Sequence, residues 1–579
     1  MAVNDRVAQP VTDDPGPASP RASAAARLGR LGRLIRAHRP FAVVLAVAAA
    51  LRVVVMLGYP PAMFFNDSYN YMTDAVTRSP DIVRADGYPL FLYVLLPFHS
   101  LVLITGLQAV MGLAMGAGIY AVLRRRGLPW WGATIPALPV LFDVFELQIE
   151  HMVAADVLFY GLVTAVLILL TWWDRPPLAV AVLAGLATGY AATVRSVGEP
   201  LLVIVLLCML LRRMGWRRIV ATAAAGIAPL AGYMIWFHAH TGQYALNEST
   251  GTFLYSRVSS FAECAKMNPP ADLRVLCDPR PPSQRENSQE YLWANDTPLG
   301  RLTGTNNIYR FTPHIESLTM RFAERAILAQ PLDYARVVAT DTLTTFGWTR
   351  QNVTNDALGN LEGSGSKFRF EPTVKSVPTW VTGNPVNARA ARDYGGASYG
   401  RPSVVRPWAR FLWAYQKVVY LRGPFLFLFV AVGAAGVILG IRRKTRVPGT
   451  GWGGLSLLPW LTGMALIVLP PVTAGFSYRY ALAAVPAICL AAGLPMSCGS
   501  LAAAASSIRN SVRWRPRAPA AGSWTGPASD SARATAPAFS SPEARIHTSR
   551  AAWMDGKVSE IRTGGGLGEP RTATTGRLS

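Results

Sequence analysis

The stretch FFNDSYNYMTDA, residues 64 to 75, sets the carboxylate of Asp67 among aromatic and small polar side chains just past a long apolar run, with Asp74 following. Three further stretches carry ionisable groups beside apolar runs. ELQIEHMVAAD holds Glu146, Glu150, His151 and Asp156, VRSVGEP holds Arg195 and Glu199, and FSYRYALAAVP holds Arg479. Carboxylates can take a proton, guanidiniums grip oxyanions through paired hydrogen bonds, and acids with an imidazole can hold a divalent ion. Taken singly, each residue has a plainer reading. Loop acids beside a span are usually solvated, His151 could be a hydrogen-bonded interface histidine, and Arg479 could snorkel to headgroups. Tyr69, Tyr71, Tyr88, Tyr478 and Tyr480 could form an interfacial belt. Whether the stretches meet is decided by the elements between them.

Those elements are apolar. Of 579 residues 51% are hydrophobic and only 15% charged, against about a quarter in soluble domains. The apolar residues come in blocks near the ~20 residues that cross a bilayer. Ten spans are expected, at 41–60, 100–123, 128–146, 152–173, 177–195, 197–212, 219–238, 420–441, 453–475 and 480–503. The segment 197–212 is the weakest, being short and carrying Pro200. Residues 87–98 are too short to span, are bracketed by prolines, and read as a helix lying on the outer surface.

The net charge of +23 is spread as short arginine clusters between spans, around 124–126, 212–218 and 442–446. That is the positive-inside pattern, and anionic lipid headgroups are sufficient partners for it. With the N-terminus in the cytoplasm, all three clusters fall inside. No zinc-finger spacing or RNA-binding motif accompanies them, so nucleic acid is excluded as a partner. The expected protein is a multi-pass cell-membrane protein with both termini cytoplasmic. Its parts are a basic tail at 1–40, seven spans over 41–238, an extracytoplasmic loop domain at 239–419, three spans over 420–503, and a disordered cytoplasmic tail at 504–579 rich in Ser, Ala, Pro, Gly and Arg. Outward loops at 58–99 and 146–156, with the outward ends of the fifth and last spans, then bring Asp67, Glu150, His151, Asp156, Arg195 and Arg479 to one membrane level. Cys264 and Cys277 are the only cysteines in the long outward loop. The outside is oxidising, and they are expected to pair.

In order and sidedness these stretches resemble the GT-C superfamily of polytopic, lipid-carrier-dependent glycosyltransferases, which includes protein O-mannosyltransferases and lipid A aminoarabinose transferases. The composition is closest to actinobacterial-type members. The resemblance covers about 41–240 and the SYRYALAAVP element. It rests on Asp67 in NDSYNYMTDA, the surface helix DGYPLFLYVLLP with Tyr88, the basic turn in GIYAVLRRRGLPWW, the acid-bearing LQIEHMVAADVLFY, the turn GYAATVRSVGEP, and Arg479, Tyr480 and Pro486 in the late pattern. Ser196 stands where the family commonly has proline, the family often has more spans, and its large soluble part often follows the last span.

The resemblance implies an all-α polytopic membrane fold of GT-C type with a mixed loop domain. It also implies transfer of a sugar from a polyprenyl-phosphate donor to an extracytoplasmic glycan, lipid or protein, with inversion. The lipid phosphate is already a good leaving group, so one base suffices, and Asp67 fits. Arg195 and Arg479, with Tyr480, would meet the phosphate. Glu150, His151, Asp156 and Tyr88 would orient substrate or tune Asp67. A divalent cation is compatible with these ligand types, but their spacing is not a recognised cage. Two other classes share the architecture: a transporter or flippase for a lipid-linked or polar solute, which would show interrupted helices and midplane charges, and a non-enzymatic membrane protein binding through its long loop.

Overall fold

The computed structural model describes residues 20–285, 287–304, 307–348, 370–373, 377, 379–442 and 454–496. Among them every regular element is helical, and the β-type pairing is one isolated bridge between Met63 and Met152. The tail at 504–579, Cys498 and both chain ends lie outside the described residues.

Helix α1 (Pro20–Gly58) contains the apolar segment His38–Gly58. The first loop holds α2 (Asn66–Thr77) and α3 (Gly87–Leu95), and α4 (Leu101–Arg125) follows. Then come α5 (Trp130–Phe142) and α6 (Val144–Glu150), bent by 54° at the break between them. The next four are α7 (Ala155–Trp172), α8 (Leu178–Val194), α9 (Glu199–Leu211) and α10 (Trp216–Thr241). In the long loop lie α11 (Thr250–Ser259), α12 (Pro313–Ala329), α13 (Pro331–Thr344), α14 (Pro385–Gly395) and α15 (Arg406–Val418). Last are α16 (Gly423–Arg442), α17 (Leu457–Thr473) and α18 (Tyr478–Met496).

Six of these helices are long and apolar enough to cross a membrane, or seven if the bent pair α5–α6 is one span. The chain is thus a helical protein with several candidate membrane spans. The remaining expected spans are helices of 17, 13 and 17 residues, α8, α9 and α17. Prolines shorten them. Pro177 precedes α8, Pro200 sits in the first turn of α9, and Pro470 and Pro471 lie near the end of α17. The break at Asp143 has a local cause. Asp143 leaves the helical region, accepts from Phe145 N at 2.8 Å, and takes Leu421 N at 2.8 Å with its other oxygen.

The basic turns have structural work of their own. The last carbonyls of α7 have no partners within their helix. Arg212 donates to Leu170 O at 2.9 Å, Arg126 to Thr171 O at 3.0 Å and Arg125 to Trp172 O at 3.0 Å. Three cations at the negative end of one helix also suit its dipole.

The loop at 239–419 is helical in its described residues rather than mixed. Its prolines explain this. Pro298, Pro313, Pro331 and Pro385 each open a helix, where a missing N–H costs nothing. The loop divides among three cores, one of which packs Phe370, Ala409 and Leu412 against Leu51, Val55 and Tyr59. Residues near 254–337 bury Tyr255, Val258 and Phe322 together, beside the Cys264–Cys277 disulfide. Residues on α14 instead bury Ala390, Ala391 and Tyr394 in the core of the spans. Tyr394 donates to Leu92 O at 2.9 Å, and Thr73 of α2 donates to Asn387 at 3.0 Å. The long loop therefore helps hold the two helices of the first loop.

Candidate functional site

Asp67 lies in the first turn of α2, where a carboxylate suits the positive end of the helix. Ser68 secures that turn by accepting from Phe65 N at 2.8 Å. The helix stops at Arg78, in the left-handed region at φ 58°. The link that follows is pinned by the segment that opens the long loop. Glu248 N donates to Ile82 O at 2.7 Å, and Ser249 Oγ donates to Val83 O at 2.9 Å. This delivers Arg84 to Asp67, with Nη2 to Oδ1 at 2.8 Å. Asp81 steadies the same guanidinium at 3.2 Å.

Three helix ends complete the cluster. Asp156 is the second residue of α7, Arg195 follows the last residue of α8, and Arg479 is the second residue of α18. Arg479 reaches the second oxygen of Asp67 with both terminal nitrogens at 3.4 Å. Its Nε stands 3.4 Å from Asp156 Oδ1, an ion pair without hydrogen-bond geometry. Arg195 pairs with that same Asp156 oxygen. The Arg195 guanidinium lies over the Tyr480 ring at 5.1 Å, and Arg479 lies 4.9 Å from the Phe65 ring. The end of α8 approaches so closely that a Cβ on Gly87 would fall 2.6 Å from Thr193 O and Val194 N.

Asp67, Arg84, Arg195, Arg479 and Asp156 thus form one network of two carboxylates and three guanidiniums, with Asp67, Asp156 and Arg479 buried and Arg84 and Arg195 half-buried. Burial alone would raise the Asp67 carboxyl. Arg84, Arg479 and Arg195 outweigh it and hold Asp67 below the usual carboxylate range. Asp67 is ionised at neutral pH, and the surplus positive charge among these five suits an anion.

Glu150, His151 and Tyr88, also expected at the site, lie apart from this network. Glu150 pairs with Arg52 of α1 at 2.7 Å, both buried. His151 Nε2 bonds Tyr59 O at 2.7 Å, and burial pushes its imidazole down to about 4, so it is neutral. Tyr88 donates to Gln108 at 2.7 Å, and Gln108 in turn donates to Glu150 O at 2.9 Å and Met152 O at 2.7 Å. Glu150, His151 and Tyr88 therefore tie helices together, and the Tyr88 ring lies 5.2 Å from that of Tyr71 on α2. Among the described residues no group of three or more His, Cys, Asp or Glu is placed to hold a metal ion.

Sequence reasoning missed Arg84 and Arg52. Arg52 carried a readable signal, a lone arginine deep in an apolar run, a costly placement that usually marks a buried partner. Arg84 carried little, since it shares its loop with Arg78 and nothing in the spacing selects between them. No family model, curated protein or solved structure matches the chain.

Proposed function

We propose that the chain is an integral membrane glycosyltransferase that moves a sugar from a polyprenyl-phosphate donor to an extracytoplasmic acceptor with inversion. The observation that carries this reading is the meeting of Asp67 and Asp156 with Arg84, Arg195 and Arg479 beside the ends of apolar helices. A membrane-anchored phosphate presents its charge at that depth. Three guanidiniums provide paired hydrogen bonds for it and for the charge that grows as the bond breaks.

The step balances in one displacement. An acceptor hydroxyl attacks the anomeric carbon, the carbon–oxygen bond to phosphate breaks, and its electron pair leaves on the phosphate. The hydroxyl proton passes to Asp67. In the resting network Asp67 is a weak base, because Arg84 and Arg479 neutralise it. A donor phosphate would compete for the same guanidiniums. As they turn to the phosphate, Asp67 loses their attraction and its proton affinity rises, so the base is armed by the substrate. The direct test supplies membranes with radiolabelled polyprenyl-phosphate sugars and compares wild type with Asp67→Ala. Labelled product from wild type alone supports the reading; equal product from both removes Asp67 as base.

One observation favours a transporter as the second reading. The pair α5–α6 is bent by 54°, and buried Glu146 and Glu150 follow the bend with Arg52 opposite Glu150. Broken helices with intramembrane charges line solute paths in transporters. The transferase reading is preferred because the larger charge network stands at helix ends rather than at this bend.

A further inference from the structure

Helix α15 joins the long loop to the apolar helix α16, and we infer that it is an interfacial helix that lies in the outer surface of the bilayer and binds anionic lipid headgroups. The inference does not depend on sugar transfer. It rests on three stripes of one helix and on what holds that helix in place.

The first stripe faces the protein. Ala409 and Leu412 are fully buried, about 60° apart around the helix. They pack on Gly58, where a Cβ would lie 3.1 Å from Leu412 Cδ1. Val405 N donates to Gly58 O at 3.0 Å, Ser403 N to Pro60 O at 2.9 Å, and Trp413 Nε1 to Tyr59 Oη at 2.6 Å. Gly58 is the last residue of the apolar helix α1. At the other end, Val144 N donates to Val419 O at 3.2 Å, and α16 begins at Gly423. The first end of α15 is therefore tied to the end of α1 and its last end leads within a few residues into the start of α16, which fixes its depth at the membrane boundary.

The second stripe is basic. Arg406, Arg410 and Lys417 are exposed, and they fall within about 40° of one another. The third is apolar and exposed. Trp408, Phe411 and Val418 are 41%, 50% and 70% exposed, within about 80° on the side away from the basic stripe. A helix with one side on the protein, one side apolar and one side cationic satisfies all three only along a bilayer surface. There the apolar side chains enter the acyl boundary and the cations meet phosphates. A water-exposed loop helix would leave the apolar stripe uncovered. A fully inserted one would desolvate three charges.

The test uses the full chain in lipid nanodiscs, with Cys208, Cys489 and Cys498 changed to alanine and the Cys264–Cys277 disulfide retained. Nitroxide labels are placed singly at Phe411→Cys, Val418→Cys and Arg410→Cys. Collision with oxygen, which concentrates among acyl chains, is compared with collision with a water-soluble nickel chelate. The labels at 411 and 418 should be oxygen-rich and nickel-poor, and the label at 410 the reverse. Equal nickel access at all three positions overturns the inference. So does shielding of 411 and 418 from both reagents, since a protein partner or a second copy would then cover them. Headgroup choice is read by native mass spectrometry of discs containing phosphatidylcholine and phosphatidylglycerol. Each basic residue changed to glutamine should lower the retained phosphatidylglycerol preference by roughly fivefold. Unchanged preference in the triple variant overturns the anionic part.

Discussion

Asp67 presents its two oxygens to two different arginines, Oδ1 to Arg84 at 2.8 Å and Oδ2 to Arg479 at 3.4 Å, from a loop and from a helix end that are remote in sequence. The closer partner is the one that its sequence context did not single out. If these guanidiniums serve a donor phosphate, Arg84 belongs with Arg195 and Arg479. Removing one such donor from a transition state typically costs about 3–4 kcal/mol, a hundred- to thousandfold in rate. Arg84→Ala is expected to lose transfer on that scale, and Arg84→Lys to recover only part, because lysine keeps the charge and loses the fork. Sugar transfer per mole of folded protein checks this. A lysine variant equal to wild type at all three positions removes phosphate recognition from these arginines.

Asp74, further along the same helix as Asp67, behaves in the opposite sense. Burial raises its carboxyl first, Asp81 and Asp86 add to it, and Arg84 opposes them, leaving it at about 9. The unfolded chain releases this proton at the ordinary carboxylate value, and the folded chain keeps it until about 9. Across that window the native state binds more protons than the unfolded one, so stability falls as pH rises. Asp74→Asn is expected to match wild type in acid. It should melt higher from just above the ordinary carboxylate value, by a margin that grows up to about 9 at no more than ~1.4 kcal/mol per pH unit. Melting curves of the purified protein across pH check the sign, and an asparagine variant less stable than wild type at alkaline pH contradicts it.

The positions of the apolar helices were legible because length and hydropathy are local properties, and a run such as 41–60 has few other uses. The break at Asp143 was not, since the apolar pattern continues on both sides and the bend depends on a contact with Leu421, remote in sequence, as well as on the Asp143 cap of Phe145 N. At the site, Asp67, Asp156, Arg195 and Arg479 could be named because helix ends inherit their level from the spans. Glu150 and His151 could not be separated from them. Side chains a few residues apart share a level, while which way each points depends on packing, here on Arg52 and on Tyr59 O.

The Arg52–Glu150 pair distinguishes the two functional readings. Both groups are buried, and Gly112 leaves them room, because a Cβ there would collide with Glu150 Oε1. Removing one partner strands a buried charge, which typically costs about 3–5 kcal/mol, whereas replacing both by apolar groups is often neutral. Arg52→Met and Glu150→Leu alone should each lower the melting temperature, and the double variant should restore it. A transferase then keeps its activity in the double variant. A transporter that uses the bend loses transport in all three, as a flux assay in proteoliposomes would report.

The last prediction separates placement of charge from its presence. Gly87 opens α3 against the end of α8, and a Cβ there would meet main-chain atoms of Thr193 and Val194 at 2.6 Å. Backbone cannot yield as a flexible side chain can, so Gly87→Ala must push α3 and the end of α8 apart. Arg195 is the next residue after Val194, and it holds Asp156, which faces Arg479. Every charge in the network survives the substitution, while the spacing among them changes. A misplacement near ~1 Å is enough to cost roughly a hundredfold in rate. Gly161→Ala is the control, since nothing lies within 4 Å of a Cβ at that position. Gly87→Ala is expected to insert and fold while losing most sugar transfer, and Gly161→Ala to retain it. If Gly87→Ala transfers sugar at the wild-type rate, the position of Arg195 does not govern the reaction, and Arg84 with Arg479 must hold the phosphate without it.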